Sequence, residues 1–230
     1  MIMANTLTTH WAGHRWELRP EKAVVRNDTR TVVVADLHLG KSGHFRTHGI
    51  PVPASTDADT LGRLSRLLDA VAAETLVVLG DFFHSKAGVT PSMLSELARF
   101  RDRHAVVEMV NIRGNHDRHA GDPPGDLGIH CLAGPVADGG VLFAHQPEDL
   151  GEEHAGLPLM CGHLHPAVNL RGRSDRMRLP CFRFAEDHAV LPAFGAFTGM
   201  KAIRPSRGDR IFICGPGHVA DVSVALGCST

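Results

Sequence analysis

Five short polar strings in this chain carry side chains that bind metal ions. In chain order they are Asp36-Leu37-His38, Gly80-Asp81, Gly114-Asn115-His116-Asp117, the isolated His145, and Gly162-His163-Leu164-His165. Imidazole, carboxylate and amide ligands without a thiolate favour Mn, Fe or Zn over a structural zinc cluster. Two adjacent sites that share one carboxylate can be built from Asp36, His38, Asp81, Asn115, His145, His163 and His165. Two metal ions a few ångströms apart are a common device for cleaving phosphate esters.

Each string follows a short apolar run that has the composition of a buried β-strand. The runs are residues 31–35, 75–79, 105–112, 140–144 and 157–161. Unbroken apolar runs of this kind are typical of strands that are covered on both faces. Because ligands in open α/β sheets project from the loops at the carboxyl ends of strands, we expect the five strings to meet at one sheet edge.

Two segments with helical periodicity lie between the first three of these strands. Residues 57–73 place leucines on one face, and residues 90–104 open with Thr-Pro, an N-cap followed by proline at the first helical position. The alternation of strand and helix predicts parallel pairing. After Cys161 the pattern becomes short strands with Gly, Pro and Asp turns, which predicts a second, more antiparallel sheet stacked on the first. These strands are residues 180–185, 189–193, 210–214 and 218–224.

Composition places the chain among ordinary globular proteins. Its 230 residues, 43% hydrophobic, are enough for one sizeable core, so we expect a single domain over residues 1–230. The net charge of −1 means that nucleic-acid binding would need a local patch together with the metals. Five cysteines without a C-x-x-C pair predict reduced thiols in a cytoplasmic protein. We find no signal-peptide core and no run of transmembrane length, and we expect no membrane partner.

The ordered set of strings resembles the calcineurin-like metallophosphoesterase superfamily. The pattern of that superfamily is D-x-H, G-D, G-N-H-[DE], H and G-H-x-H, and every element has a match here. The stretches 34–41 and 191–199 further resemble one bacterial subfamily, the ligase-associated DNA-damage-response endonucleases. The resemblance covers about residues 11–203. It implies a four-layer αββα sandwich of two stacked mixed β-sheets flanked by helices, with a dinuclear site at the sheet edges.

The resemblance also implies a role for each site residue. The first ion would be held by Asp36, His38 and His165, the bridge formed by Asp81, and the second ion held by Asn115, His145 and His163. The cofactors would be two divalent ions, Mn²⁺ for preference, with Zn²⁺, Fe²⁺ and Ni²⁺ as alternatives. A hydroxide shared by the ions would attack the phosphate. His116 would lie near the scissile phosphate and act as a proton donor or charge stabiliser, and Asp117 would orient it.

Further residues near the strings are candidates for substrate contact. Lys41, Phe45 and Arg46 place cations beside an aromatic ring, which suits a phosphodiester with a stacked base. The alternative is an amphipathic segment with Phe45 in the core. His84 would either support the metal site or lie in a polar loop, and Arg118 would either contact phosphate or be solvated.

Three aromatic regions are predicted to pack against the core and to take no part in the chemistry. We expect Trp11 and Trp16 to lie in the core or at its edge. The string of residues 191–199, with Phe194 and Phe197, is predicted to form a packed turn beneath the site.

These inferences predict a dinuclear-metal-dependent phosphoesterase, a DNA endonuclease or phosphodiesterase acting in DNA repair. Its partners would be DNA and, by resemblance, DNA-repair ligase and helicase proteins. The alternative is a phosphatase or pyrophosphohydrolase for nucleotides or nucleotide-linked small molecules. A non-catalytic scaffold is a third hypothesis, which the complete ligand set together with His116 argues against. The motifs do not distinguish endonuclease from exonuclease, strand preference or oligomeric state.

Overall fold

The computed structural model describes residues 5–47, 49, 50, 52, 56–154, 156–171 and 176–228. Within these residues, four α-helices accompany two β-sheets. The helices are α1 Lys41–Thr47, α2 Thr56–Val71, α3 Pro91–Arg103 and α4 Asp117–Ala120. None of the described helices has the length and apolar character needed to cross a membrane.

The first sheet has seven strands in chain order and changes from antiparallel to parallel along that order. Its strands are β1 Leu7–Trp11, β2 His14–Arg19, β3 Ala23–Arg26, β4 Thr31–Val34, β5 Thr75–Val78, β6 Glu108–Ile112 and β7 Ile129–Leu132. β1 to β4 pair antiparallel, and β4 to β7 pair parallel. Because Val34 is level with Val78 and Val78 with Asn111, the loops after β4, β5 and β6 leave the sheet side by side.

The second sheet contains nine strands in the order β14-β11-β12-β13-β10-β9-β8, with β15 and β16 branching from β12. Its strands are β8 Val136–Asp138, β9 Val141–Phe143, β10 Leu159–Cys161, β11 Pro166–Arg171, β12 Arg176–Phe184, β13 His188–Val190, β14 Lys201–Ala202, β15 Arg210–Gly215 and β16 His218–Asp221. β9, β10 and β13 are parallel neighbours. Their carboxyl ends therefore meet at one edge as well.

Apolar side chains fill the space between the two sheets and cover their outer faces. Val33 and Trp16 of the first sheet pack with Phe143 and Phe182 of the second in one buried cluster. On the outer face of the first sheet, α2 and α3 bury their leucine stripes against the strands. The outer face of the second sheet is covered by short 3₁₀ turns at Pro147–Asp149 and Glu152–His154 and by residues 222–228. The predicted pair of stacked mixed sheets is confirmed, and its fourth layer is thin.

Every strand predicted before a metal-binding string is present, and so are both helices. Thr90 caps α3 by accepting a hydrogen bond from the Met93 N–H at 3.3 Å, with Pro91 next in the chain. Trp16 is fully buried and Trp11 is 8% exposed, as expected of core residues. The prediction missed the strands β1 to β3, β7, β8, β11 and β14 and the short helices α1 and α4.

Candidate metal centre

The metal-binding strings lie in the loops at the carboxyl ends of five strands, three from the first sheet and two from the second. Asp36 and His38 follow β4, Asp81 follows β5, Asn115 follows β6, His145 follows β9, and His163 and His165 follow β10. The two stacked sheets thus present their loops to a common space. The structure brings all seven predicted ligand side chains to this one edge.

Backbone strain is concentrated at the same loops. Among the described residues, nine that are not glycine have a positive φ in the left-handed region, and five of these belong to the candidate ligands. They are Asp36 (55°), His38 (47°), Asp81 (53°), His163 (63°) and His165 (50°). Residues with a Cβ seldom adopt this conformation, and such strain clusters at functional sites because surrounding contacts must hold it in place.

One group of ligand atoms is formed by Asp36, His38 and His165, whose donor atoms lie within 4.8 Å of one another. The Nε2 atoms of His38 and His165 are 3.3 Å apart. His165 Nε2 is 3.4 Å from Oδ1 of Asp36. The Asp36 carboxylate is fully buried and accepts a hydrogen bond from the His163 N–H at 3.0 Å, which keeps its oxygens facing this group.

A second group is formed by Asp81, His145 and His163, again within 4.8 Å of one another. His145 Nε2 lies 3.0 Å from His163 Nδ1 and 2.9 Å from Oδ1 of Asn115. Asn115 therefore completes the set that the sequence predicted for a second ion.

Asp81 lies between the two groups and turns one oxygen towards each. Its Oδ2 is 3.7 Å from Nε2 of His38, and its Oδ1 is 3.5 Å from Nε2 of His145. The carboxylate is 2% exposed, and its Oδ1 also accepts the His116 N–H at 2.9 Å. This is the arrangement that a bridging carboxylate requires.

Backbone carbonyls set the imidazole tautomers so that lone pairs point into the site. His145 Nδ1 donates to the Leu79 carbonyl at 2.9 Å, and His165 Nδ1 donates to the Gly199 carbonyl at 3.1 Å. In each neutral ring the remaining Nε2 is then an acceptor. Acceptor nitrogens and carboxylate oxygens that converge in this way repel one another unless a cation lies among them. The donor set therefore fits divalent ions held by nitrogen and oxygen ligands.

Burial shifts the pKa of several of these groups. It lowers the pKa of His38, to which nearby His165 and Lys41 add, and it lowers the pKa of His163, with His145 adding. Both rings are thus neutral and ready to bind metal at neutral pH. Burial raises the pKa of Asp81, against the effect of His145. A bound cation would reverse that shift, because it favours the ionised carboxylate.

His116 lies at the opening of the site, where contacts with His84 hold its ring in place. Its Nδ1 is 2.6 Å from the His84 carbonyl, its ring stacks on the His84 ring at 4.9 Å, and its Nε2 is 3.9 Å from Oδ2 of Asp81. Burial, together with the nearby Lys41 and His116, lowers the pKa of His84 to about 4. His38, His84 and His116 form a third cluster of nitrogen atoms beside the first group.

The prediction that Asp117 orients His116 is wrong. Asp117 is buried, and its Oδ1 accepts the N–H groups of Phe82 (2.9 Å) and Phe83 (3.3 Å). Its Oδ2 accepts the Gly114 N–H at 2.9 Å and the Asn111 amide at 3.3 Å. With both oxygens occupied in this way, Asp117 joins the loops after β5 and β6. The His84 carbonyl orients His116 instead.

Two glycines let the loops approach closely enough for the site to form. A Cβ on Gly114 would lie 2.7 Å from the Asp81 nitrogen and 2.9 Å from Nδ1 of His145. A Cβ on Gly162 would lie 2.7 Å from Oδ2 of Asp36. Any side chain at either position would displace a ligand.

The structure places some of the predicted substrate contacts beside the centre and others at the exposed surface. Lys41 and Phe45 lie on α1 beside the centre, with Lys41 Nζ 6.0 Å from the Phe45 ring centroid. Phe45 is half-buried and stacks on His84 at 6.4 Å, so neither the core alternative nor full exposure describes it. Arg46 is exposed with Nη1 3.5 Å from the Val52 carbonyl. The Arg118 side chain is 68% exposed and 3.8 Å from Asp149.

The string of residues 191–199 is packed as predicted over residues 191–195, but Phe197 is not part of that packing. It is 48% exposed, and its ring centroid is 6.0 Å from that of Phe45. Of the two phenylalanines in the string, only Phe194 is buried. The sequence shows a second phenylalanine in a glycine-containing stretch, but it does not show that this residue lies at the surface.

Comparison with known proteins agrees with this arrangement of metal-binding residues. A family model described as calcineurin-like phosphoesterase matches residues 29–212. Among solved structures, the chain is similar to the Pseudomonas putida nuclease MPE, with 37% sequence identity and a TM-score of 0.81. That similarity covers 92% of this chain and 98% of the Pseudomonas chain. A search of curated proteins finds no match.

Proposed function

This chain belongs to the calcineurin-like phosphoesterases, metal-dependent phosphoester hydrolases, and from that membership we propose that it is a nuclease that cleaves DNA. The observation that carries the proposal is Asp81, whose two oxygens face two separate ligand groups beside His116. The similarity to a protein described as a nuclease, over nearly its whole length, supports a phosphodiester substrate.

Each ion would have its own ligands and would share Asp81 with the other. One would be held by Asp36, His38 and His165, and the other by Asn115, His145 and His163. When bound, two divalent ions lower the pKa of water and neutralise charge on the phosphoryl oxygens. Mn²⁺ is our proposed ion, because mixed nitrogen and oxygen ligation without thiolate suits it better than Mg²⁺, which prefers oxygen ligands and retained water.

His116 supplies the proton chemistry of the chain itself. With Nδ1 donating to the His84 carbonyl, the proton that the ring gains or loses is the one on Nε2, which faces the centre. A protonated Nε2 donates to the leaving oxygen of the sugar, which is a poor leaving group without that proton. Since the imidazole is 36% exposed, it is reprotonated from solvent after each turnover.

Our proposed substrate contacts are Lys41, Phe45, Arg46, His84 and Arg118. Phe45 and exposed Phe197 stand edge to face, 6.0 Å apart, with the Lys41 ammonium beside them. An aromatic surface next to a cation is suited to an unpaired base and its phosphate. Arg118 is exposed on α4, three residues after Asn115, and would contact a phosphate outside the metal centre.

Composition and motif resemblance support a proposed biological setting. The five free thiols support a reducing compartment such as the cytoplasm. The motif resemblance supports a role in DNA repair, together with ligase and helicase proteins.

A panel of metals against substrates tests the proposed function. Metal-free protein would be given Mn²⁺, Mg²⁺, Ni²⁺, Zn²⁺ or no metal, with plasmid DNA, single-stranded DNA, bis-p-nitrophenyl phosphate, p-nitrophenyl phosphate and cyclic nucleotides as substrates. We expect cleavage of DNA and of the diester, with Mn²⁺ giving the highest rate and chelation abolishing it. Hydrolysis of monoesters or nucleotides with DNA untouched would favour a phosphatase or pyrophosphohydrolase instead.

A further inference from the structure

A basic hairpin begins at the metal centre. β11 starts at Pro166, directly after the candidate ligand His165, and pairs antiparallel with β12. Asn169 is opposite Arg178 in this pairing, and Arg178 Nε donates to the Asn169 side chain at 3.0 Å. The hairpin is thus joined through the backbone to the centre.

The distal part of the hairpin extends past the sheet edge where the centre lies. Arg183 of β12 is level with Val190, the last residue of β13, and Val190 is level with Cys161, the last residue of β10. Arg178 and Arg176 precede Arg183 in β12, which runs in the opposite direction. At a rise of about 3.3 Å per residue they lie roughly 17 and 23 Å beyond that level.

Alternation along β12 shows which way these arginines face. Arg176 and Arg178 share a strand face with Phe182 and Phe184, which are buried between the two sheets. Unlike Phe182 and Phe184, Arg176 and Arg178 are exposed, so this part of the strand face is open to solvent. The two arginines therefore continue the inner face of the second sheet beyond the level at which β10 and β13 end.

Both arginines are available for a ligand. They are exposed, and among the described residues neither has a carboxylate within ion-pair distance. By contrast, Arg183 lower on the same strand is paired with Asp209 at 2.9 Å. The chain as a whole has a net charge of −1, so this pair is a local cationic patch rather than part of a general basic field.

We propose that Arg176 and Arg178 bind backbone phosphates of the nucleic-acid strand on one side of the scissile bond. This inference rests on the proposed function and names a surface for its substrate. Two residues apart on one strand face, the arginines are separated by about 7 Å, comparable with neighbouring phosphates of an extended strand. Guanidinium groups bind phosphate oxygens through paired N–H donors, and such contacts position the strand without reading its sequence.

The surface has a consequence that depends on substrate length. A substrate of a few nucleotides reaches the centre alone, whereas a longer one also reaches the hairpin. Affinity should therefore rise with length in the native protein, and part of that rise should vanish when the arginines are lost.

The test compares R176Q/R178Q with the matched control R66Q/R99Q. The control removes the same charge from exposed positions on α2 and α3, on the outer face of the first sheet. Fluorescence anisotropy would give the Kd of single strands of about 4 and about 16 nucleotides, in the His116→Gln background to slow cleavage. We expect the hairpin variant to lose at least tenfold in affinity for the long strand only. The slope of log K against log salt should fall by about 1.4, or about 0.7 for each phosphate contact.

Each other outcome has a definite meaning. Equal affinities of the two double variants for the long strand would overturn the hairpin surface while leaving the nuclease intact, and would leave this patch to a protein partner. A native protein that hydrolyses bis-p-nitrophenyl phosphate, yet neither binds nor cleaves DNA of any length, would instead overturn the proposed function.

Discussion

The His84 carbonyl oxygen lies 2.6 Å from Nδ1 of His116, a contact that turns the Nε2 atom of the same ring towards the centre. The backbone, not a side chain, thus sets the tautomer. A substitution at residue 84 keeps that backbone carbonyl. A substitution at residue 116 removes the imidazole that acts as the acid but leaves the surrounding backbone in place.

His116→Gln should retain two metals and the fold while losing DNA cleavage by about 10²–10⁴-fold, the usual size of a general acid contribution. The loss should be much smaller on bis-p-nitrophenyl phosphate, whose leaving group needs no proton. Turnover on both substrates and metal content by mass spectrometry are the measurements. His119→Gln, an exposed position on α4, is the control. Equal losses on both substrates would point to stabilisation of the phosphoryl oxygens instead.

Asp81→Ala should lower metal content more than Asn115→Ala, because only Asp81 turns an oxygen towards each ligand group. We expect at most one ion per chain in the first variant and more than one in the second. Metal analysis after gel filtration measures this directly. Two retained ions with normal turnover in Asp81→Ala would show that Asp81 does not bridge.

Asp117→Asn should act on stability. Its carboxylate accepts four N–H groups, and an amide in its place turns a donor towards one of them. We expect the free energy of unfolding to fall by about 2 kcal/mol, as for a buried hydrogen bond to a charged group. Urea denaturation measures the change, and Asp126→Asn at the exposed surface is the control. A variant of native stability with impaired DNA cleavage would restore the orienting role.

Lys22 should make stability rise with pH. Burial lowers its pKa to about 8, with Arg63 adding, and its ammonium donates to the Ala193 carbonyl at 3.1 Å. In the unfolded chain the pKa is about 10.4, so between these values the unfolded state binds more protons. The free energy of unfolding therefore increases from pH 8 to pH 10, by about 2 kcal/mol relative to Lys22→Met. A difference between the two proteins that does not change with pH would refute this.

The parts that the sequence predicted share one physical cause. Strands covered on both faces leave unbroken apolar runs, and β4, β5, β9 and β10 are of this kind, while β6 keeps an apolar run interrupted by Glu108 and Asn111. Because parallel strands that end at one level bring their loops together, the clustering of the ligands could also be predicted. β1 and β2 alternate buried and exposed residues around the Ala12-Gly13 turn, and β11 and the first half of β12 carry polar residues on the hairpin, so no apolar run marked these segments.

The roles of Asp117 and Phe197 were beyond the sequence for a different reason. The Asp117 partner Phe82 is 35 residues away in the chain, and a motif that places Asp after His suggests a local pair instead. Phe197 lies in a string with buried Phe194, and only the three-dimensional packing separates the two. Contacts over such distances in sequence leave no local pattern.

The ligands come from both layers of the sandwich, so bound ions would fasten one sheet to the other. The first sheet contributes Asp36, His38, Asp81 and Asn115, and the second contributes His145, His163 and His165. Ions that bind only the folded chain add to its free energy of unfolding, by about 2.7 kcal/mol at a hundredfold excess over the Kd. A cell short of the metal would then lose enzyme molecules to proteolysis as well as their catalysis, so the supply of the ion would set how much protein persists.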